Sequence, residues 1–133
     1  MGTFILFAII LIVIILLFFV KDYYKDYKKM ERNGGIRKKY KVLIDYFIEF
    51  DPEMIVLKET NMYCFLGAQH YKGSLTFRFQ HTFDKININF TMNHNYLGVH
   101  KLEWVFHENM PQEDMIYHIE REIKQYCTEK FNN

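Results

Sequence analysis

An unbroken apolar run near the N-terminus constrains this chain more than any other feature of its sequence. Residues 3–20 read TFILFAIILIVIILLFFV and contain no charged side chain. As an α-helix, such a run extends about 27 Å at about 1.5 Å per residue, close to the roughly 30 Å hydrocarbon core of a bilayer. Because lipid offers the backbone no hydrogen-bond partner, a run of this kind crosses a membrane as a helix. The sequence therefore predicts a transmembrane anchor over residues 1–20.

The flanks and interior of the run favour a permanent anchor over a cleaved signal peptide. No basic residue precedes the run, and residues 17–20 are bulky where a signal peptide would need small side chains at its cleavage site. The interior has no ionisable side chain and no pair of small residues spaced four apart. Neither ion transport nor tight helix dimerisation is therefore indicated.

The charges that follow the run predict its orientation in the membrane. Residues 21–41 carry nine Lys and Arg side chains against three Asp and Glu, whereas the N-terminal flank carries none. The positive-inside rule then places the N-terminus outside and the folded domain in the cytoplasm, at the inner or plasma membrane. Basic and tyrosine side chains just past the run suit the membrane–water interface. The predicted interface residues are Lys21, Tyr23, Tyr24, Lys25, Tyr27, Lys28 and Lys29.

Two helices are predicted beyond the anchor. Residues 21–35 form a basic juxtamembrane segment that ends at a pair of glycines, which are poor helix residues. Apolar residues spaced three and four apart predict a helix over residues 36–50, and the proline at position 52 agrees with an end there. A second pattern of this kind follows Pro111, which fits the first turn of a C-terminal helix.

Between these helices the hydrophobic period changes to two, which is typical of strands with one wet face and one dry face. Short connections favour an antiparallel meander, and both helices then pack on the apolar face of the sheet. The predicted class is α+β: a transmembrane helix, then a two-layer cytoplasmic domain over residues 36–133. In that domain a five-stranded antiparallel sheet has one helix before it and one after it on the same face. The predicted strands are residues 54–58, 62–68, 75–81, 86–92 and 99–107.

The polar face of the predicted sheet is the candidate binding surface. Hydroxyl, amide and guanidinium groups alternate with the core residues of two central strands, which would form a flat hydrogen-bonding platform. Such a face either docks a partner protein or is simply solvated, and the sequence fits both interpretations. The candidate partner-binding residues are Thr76, Arg78, Gln80, Asn87, Asn89 and Thr91.

The histidines raise the alternative of a metal or catalytic site. None of them lies in a zinc-binding signature, but neighbouring strand ends could bring several together near Glu103 or Glu108. The candidate ligands are His81, His94, His100 and His107. Ser74 has no nucleophile motif around it, and no glycine-rich phosphate loop is present. The sequence therefore predicts no catalytic residue and no cofactor, and Cys64 and Cys127 are expected to be free thiols.

Taken together, these features favour a non-enzymatic interaction module anchored in a membrane, as an accessory or adaptor subunit of a membrane protein complex. Its expected partners are the lipid bilayer and other membrane subunits. Residues 42–133 carry thirteen acidic and eight basic side chains, which argues against a nucleic-acid partner. Two alternatives stay open: a membrane-tethered enzyme with a His/Glu site, and a binder of a lipid-like ligand in a cavity lined by Phe and Met.

Overall fold

Within residues 2–131 the chain forms one long N-terminal helix, a five-stranded sheet and three further helices. This structure, a computed structural model, describes residues 2–131. Met1, at the start of the predicted anchor, and Asn132 and Asn133, at the end of the predicted domain, lie outside the described residues. The elements are α1 (Gly2–Arg32), α2 (Ile36–Lys39), α3 (Lys41–Phe50), β1 (Met54–Glu59), β2 (Tyr63–His70), β3 (Gly73–Thr82), β4 (Lys85–His94), β5 (Gly98–His107) and α4 (Gln112–Phe131).

The apolar run forms the first part of α1, and its side chains are exposed along its whole length. Within residues 2–131, α1 is the one helix that is long and apolar enough to cross a membrane. It continues beyond the run, through most of the basic segment, to Arg32. It ends where Gly34 and Gly35 adopt φ angles of 85° and 86°, a conformation that glycine reaches without a Cβ clash.

The sheet is an antiparallel meander with the strand order β1-β2-β3-β4-β5. The predicted strands are confirmed to within two residues at every boundary. The register aligns large apolar residues across neighbouring strands, as where Phe79 pairs with Ile88 and Ile88 with Trp104. This alignment gives the sheet an inner face, which forms the core with α3 and α4.

The helix predicted over residues 36–50 is interrupted at Tyr40, which separates α2 from α3. Tyr40 has φ −109° and ψ 39°, outside the helical region. The side chain of Gln112, at the start of α4, compensates for the interruption. Its Nε2 donates to the carbonyl of Lys39 and its Oε1 accepts from the N–H of Leu43, both at 2.9 Å. The break therefore satisfies its backbone groups and joins α4 to both short helices.

The last turns of α1 are part of the folded domain. Met30 is fully buried in the core cluster, and the N–H of Gly35 donates to the carbonyl of Met30 at 2.8 Å. Both groups lie beside the sheet end formed by the β1–β2 turn, the β3–β4 turn and the end of β5, which we call the anchor end. The β2–β3 and β4–β5 turns form the opposite, distal end. The domain is thus attached to α1 by packing as well as by the chain.

Candidate functional site

The face of the sheet opposite α3 and α4, which we call the outer face, brings all six candidate binding residues together. The register arranges them in three neighbouring rows across β3 and β4, and each row continues onto β5. The rows are Thr76–Thr91–Lys101, Arg78–Asn89–Glu103 and Gln80–Asn87–Val105. The period-two pattern of the sequence is sufficient to group these residues, because alternate side chains of a strand lie on the same face.

An open groove of about 400 Å³ runs across the middle of the outer face. Arg78 lies in it, with its guanidinium 5.5 Å from the ring centre of Phe65 and 6.0 Å from that of Tyr63. Such stacking holds the planar group in one orientation and leaves its N–H donors available. The groove is lined by Phe65, Thr76, Arg78, Asn89, Phe90, Thr91, Lys101, Leu102 and Glu103.

The charge of the outer face is opposite to that of the domain that carries it. Residues 42–133 contain eight basic and thirteen acidic side chains. Four of the basic residues lie on the outer face, against one acidic strand residue, Glu103. These basic residues are Lys58, Arg78, Lys85 and Lys101. The outer face is therefore a locally electropositive surface on an acidic domain, which favours an anionic partner.

Aliphatic side chains flank this basic centre at both edges of the sheet. Ile55 and Leu57 on β1 are 60% and 52% exposed and line a second groove of about 360 Å³. Leu57 extends over Gly67, where an added Cβ would lie 2.5 Å from the Leu57 Cδ1 atom. Val99 and Val105 are similarly exposed on β5. Exposed aliphatic groups beside unpaired polar groups are a combination found at protein interfaces.

The four histidines named as candidate metal ligands are divided between the two ends of the sheet. His81 and His107 lie at the anchor end, whereas His94 and His100 lie toward the distal end. His81 is aligned with residue 86 and His100 with residue 92, a separation of about 20 Å at about 3.3 Å per strand residue. Residues 2–131 contain no group of three His, Cys, Asp or Glu side chains that could hold a metal ion.

A buried polar cluster joins α1 to the anchor end of the sheet. The His81 side chain is fully buried, with its Nδ1 3.0 Å from the Tyr40 hydroxyl and its Nε2 3.1 Å from Asp26 Oδ1. Because a carboxylate only accepts, Nε2–H donates to Asp26 and, in the neutral ring, Nδ1 accepts from Tyr40. Burial, together with the carboxylates of Glu108 and Asp26, raises the pKa of the Tyr40 phenol, which stays a neutral donor.

Glu108, just after β5, completes this cluster with two lysines from different helices. Its Oε1 accepts from Lys29 of α1 at 3.0 Å, and its Oε2 accepts from Lys39 of α2 at 2.5 Å. Burial alone would raise the pKa of Glu108, but the hydrogen bonds from Lys39 and Lys29 outweigh it and lower the pKa to about 2. We call this set the anchor cluster. Its members are Asp26, Lys29, Lys39, Tyr40, His81 and Glu108.

In the anchor cluster the Asp26 carboxylate, the His81 imidazole and the Tyr40 hydroxyl are joined by consecutive hydrogen bonds, but a substrate cannot reach them. Tyr40 and His81 are 1% and 2% exposed, and the ring of one packs against the other at 6.0 Å between centres. The cluster therefore holds α1 against the sheet. Sequence patterns gave no signal for it, because Asp26 and Lys29 belong to a charged segment whose partners are 55 and 79 residues away.

Two further predicted sets have clear positions in the structure. Among the interface residues, Lys21, Tyr23, Tyr24, Lys25 and Lys28 are exposed on α1. The other two contact the domain: Tyr27 lies 3.4 Å from the Asn61 amide and Lys29 binds Glu108. The cysteines are free, as expected, and burial raises the pKa of Cys64 to about 11, which keeps it a thiol.

The aromatic residues on the inner face pack against one another in the core. Phe47 of α3 lies 4.4 Å from Phe77 between ring centres, and Phe77 lies 5.0 Å from Phe90. An open cleft of about 330 Å³ between α3 and α4 is lined by Phe47, Phe50 and Ile123, with Glu120 and Lys124 also in its wall. Two charged groups in the wall make this cleft a poor fit to the apolar lining expected for a lipid-like ligand.

The comparisons with known proteins do not add to this geometry. No protein-family model, no curated protein and no solved structure matches the chain. The function is therefore inferred from the described residues alone. Of their surfaces, the outer face combines exposure, unpaired donors and a charge opposite to that of its domain.

Proposed function

We propose that this protein is a membrane-anchored interaction module, an accessory or adaptor subunit of a membrane protein complex. Its outer face docks an acidic cytoplasmic segment of a neighbouring membrane subunit. The observation that carries the proposal is the electropositive, open sheet face on a domain that is fixed by the anchor cluster to a single apolar helix. The basic flank of that helix favours an outside N-terminus and a cytoplasmic domain.

The chemistry of the groove supports an acidic protein segment as the partner. Arg78 and Lys101 form no hydrogen bond or ion pair within residues 2–131, so their donors are free for carboxylates. A guanidinium oriented by aromatic rings suits bidentate recognition of a carboxylate. Asn89, Thr76 and Thr91 line the same groove and supply uncharged hydrogen-bonding groups. Complementary charge mainly increases the rate and specificity of such docking.

The location of the module supports a membrane subunit as the source of this segment. A protein tethered to a bilayer meets other proteins of that bilayer at a high effective concentration. An interaction of modest intrinsic affinity is then sufficient to keep a complex together. A short acidic loop of a neighbouring subunit would therefore be held by a few charge-assisted contacts in the groove around Arg78 on the outer face.

The proposal can be tested with the tagged full-length protein purified in mild detergent from its native membranes. The double variant Arg78→Ala/Lys101→Ala removes the two unpaired cations of the groove. Its matched control, Lys72→Ala/Lys124→Ala, removes two exposed cations outside the outer face. We expect a membrane protein in stoichiometric amount with the wild type and the control, and at least a tenfold lower yield of it with the groove variant.

A photocrosslinking amino acid tests whether the contact is direct. Placed at Thr91, in the groove, it should couple to the same partner in intact membranes. Placed at Tyr117, an exposed position on α4, it should not. Recovery of the protein alone, equal recovery with both double variants, or crosslinking to nucleic acid in place of protein would overturn the proposal.

A further inference from the structure

We propose that the β3–β4 turn is a second membrane contact, in which the Phe83 ring inserts into the interface of the leaflet that α1 enters. This inference rests on the proposed anchoring of α1. It adds a lipid-binding element that a helical anchor alone does not require. The partner surface is the boundary between headgroups and acyl chains.

The position of the turn along α1 is the first observation. The Phe83 ring packs edge-on against Phe19, with 5.8 Å between ring centres. Phe19 is the last but one residue of the apolar run, two positions before the first lysine, Lys21. A side chain that touches Phe19 lies at the depth where the anchor leaves the hydrocarbon. The turn therefore reaches the membrane boundary when the anchor is in place.

The anchor cluster holds the turn at this depth. Asp26 Oδ2 accepts from the backbone N–H of Phe83 at 2.8 Å, while its Oδ1 accepts from the buried His81. Side chains on a helix incline toward its N-terminus, so the Asp26 carboxylate reaches back along α1 toward the bilayer. One carboxylate thus fixes both the end of β3 and the tip of the turn against the anchor helix.

The conformation of Phe83 is the second observation. Its φ is 56°, and within residues 2–131 it is the only residue other than glycine with a positive φ. Glycine or asparagine suits such a turn position, whereas a bulky aromatic side chain is strained there. The corresponding turn at the distal end places Gly98 at φ 84°. A strained, exposed aromatic residue therefore occurs at the membrane-facing turn and not at the distal one. This difference indicates that the Phe83 ring contacts something outside the domain.

The charges around Phe83 suit the headgroup region. Lys21 and Lys25 are exposed on α1, and Lys85 directly follows the turn. The acidic neighbour Asp84 lies 3.5 Å from the imidazole of His107. Aromatic rings beside lysines are a common arrangement at membrane interfaces, especially with anionic lipids. With two separate contacts, the tilt of the domain on the membrane is fixed, which one helix cannot achieve.

Tryptophan quenching by brominated lipids tests this insertion with the full chain. The protein is placed in vesicles of phosphatidylcholine and phosphatidylglycerol, with bromines either high or low on the acyl chains. Three variants each add one tryptophan: Phe83→Trp, Tyr96→Trp at the distal turn, and Ile10→Trp inside the anchor. The native Trp104 is 6% exposed in the core and is common to all of them. Tyr96 is the matched control, because it is an aromatic turn residue that is 85% exposed.

We expect high bromines to quench the added fluorescence of Phe83→Trp at least about twofold more than that of Tyr96→Trp. Low bromines should quench Ile10→Trp most strongly. Quenching of Phe83→Trp no greater than that of Tyr96→Trp, with Ile10→Trp still quenched, would overturn the second contact and leave the anchor intact. Absence of quenching at Ile10→Trp would overturn the anchor as well. Equal circular dichroism spectra of the three variants exclude a change of fold.

Discussion

The anchor cluster and the outer face use the same kinds of side chain in opposite ways. Both contain lysine or arginine together with a glutamate that belongs to β5 or follows it directly. In the anchor cluster Glu108 is 9% exposed at its side chain and is bonded to two lysines. On the outer face Arg78 and Lys101 are exposed, and Glu103 has no ion-pair partner within residues 2–131.

The difference separates the charges that hold the fold together from those that are free for a partner. Buried ionic groups that satisfy one another are costly to break, because removing one member leaves the others desolvated and unpaired. Exposed charges contribute little to folding and remain available for binding. Substitutions in the two regions should therefore affect different measurements: unfolding for the anchor cluster and complex formation for the outer face.

The largest expected effect on stability comes from His81→Ala in the anchor cluster. The change leaves the Tyr40 hydroxyl and the Asp26 carboxylate without their shared partner and opens a cavity, so we expect a loss of about 3–4 kcal/mol in unfolding free energy. Urea unfolding of the full chain in detergent, followed by Trp104 fluorescence, measures it. Tyr40→Phe removes only a hydroxyl and should cost about 1 kcal/mol. A loss below that for His81→Ala would contradict a structural role for the cluster.

A second test of the cluster is the pH dependence of stability that Glu108 produces. Its pKa falls from an ordinary 4.5 to about 2 in the folded chain, so its stabilising effect is complete above pH 4.5. The effect is lost as the pH falls from about 4.5 to about 2. We expect the wild type to exceed Glu108→Gln by about 2 kcal/mol at neutral pH, allowing for solvent screening, with little difference near pH 2.

Urea unfolding followed by circular dichroism at several pH values measures this difference. All other carboxyl groups are common to the two proteins, so the difference between the two curves isolates Glu108. A constant difference from pH 7 to pH 2 would show that the two lysines do not act through the ionised Glu108 carboxylate.

A smaller effect is expected at the break between α2 and α3, outside both regions. Gln112→Ala removes the two hydrogen bonds that satisfy the interrupted backbone, and we expect a loss of about 1–2 kcal/mol in unfolding free energy. Gln112→Glu retains an acceptor for Leu43 but no donor for Lys39, and should give an intermediate value. If both variants unfolded like the wild type, water would be an adequate substitute for the Gln112 side chain.

The outer face could be predicted from the sequence, because the pattern that defines it lies within single strands. Because successive side chains of a strand point to opposite faces, Thr76, Arg78 and Gln80 lie on one face of β3 regardless of the tertiary contacts. The same holds for the long apolar run, whose length alone predicts α1. Strand order also followed from short connections, since consecutive strands then lie side by side.

The anchor cluster could not be predicted from the sequence, because its contacts join segments that are far apart along the chain. In the sequence Asp26 is one of three acidic residues in a basic segment, and no neighbouring residue indicates a hydrogen bond to His81. The interruption at Tyr40 is hidden for the same reason: the apolar residues keep a helical spacing across it, while the group that stabilises it is Gln112. Periodicity reports which face a residue occupies, and it does not report which polar group completes a buried site.

The smallest expected effect on stability is that of Arg78→Ala/Lys101→Ala on the outer face. Neither cation has an ion-pair partner to lose, and removing both lowers the repulsion among the basic residues there, so the unfolding free energy should change by less than about 0.5 kcal/mol. The control Lys72→Ala/Lys124→Ala should show an equally small change in unfolding free energy in the same urea titration. A loss above about 1 kcal/mol in the outer-face variant alone would mean that the stacking of Arg78 on Phe65 and Tyr63 supports the sheet. The loss of a partner in that variant would then follow from a damaged face, whereas an unchanged unfolding curve assigns it to the missing cations.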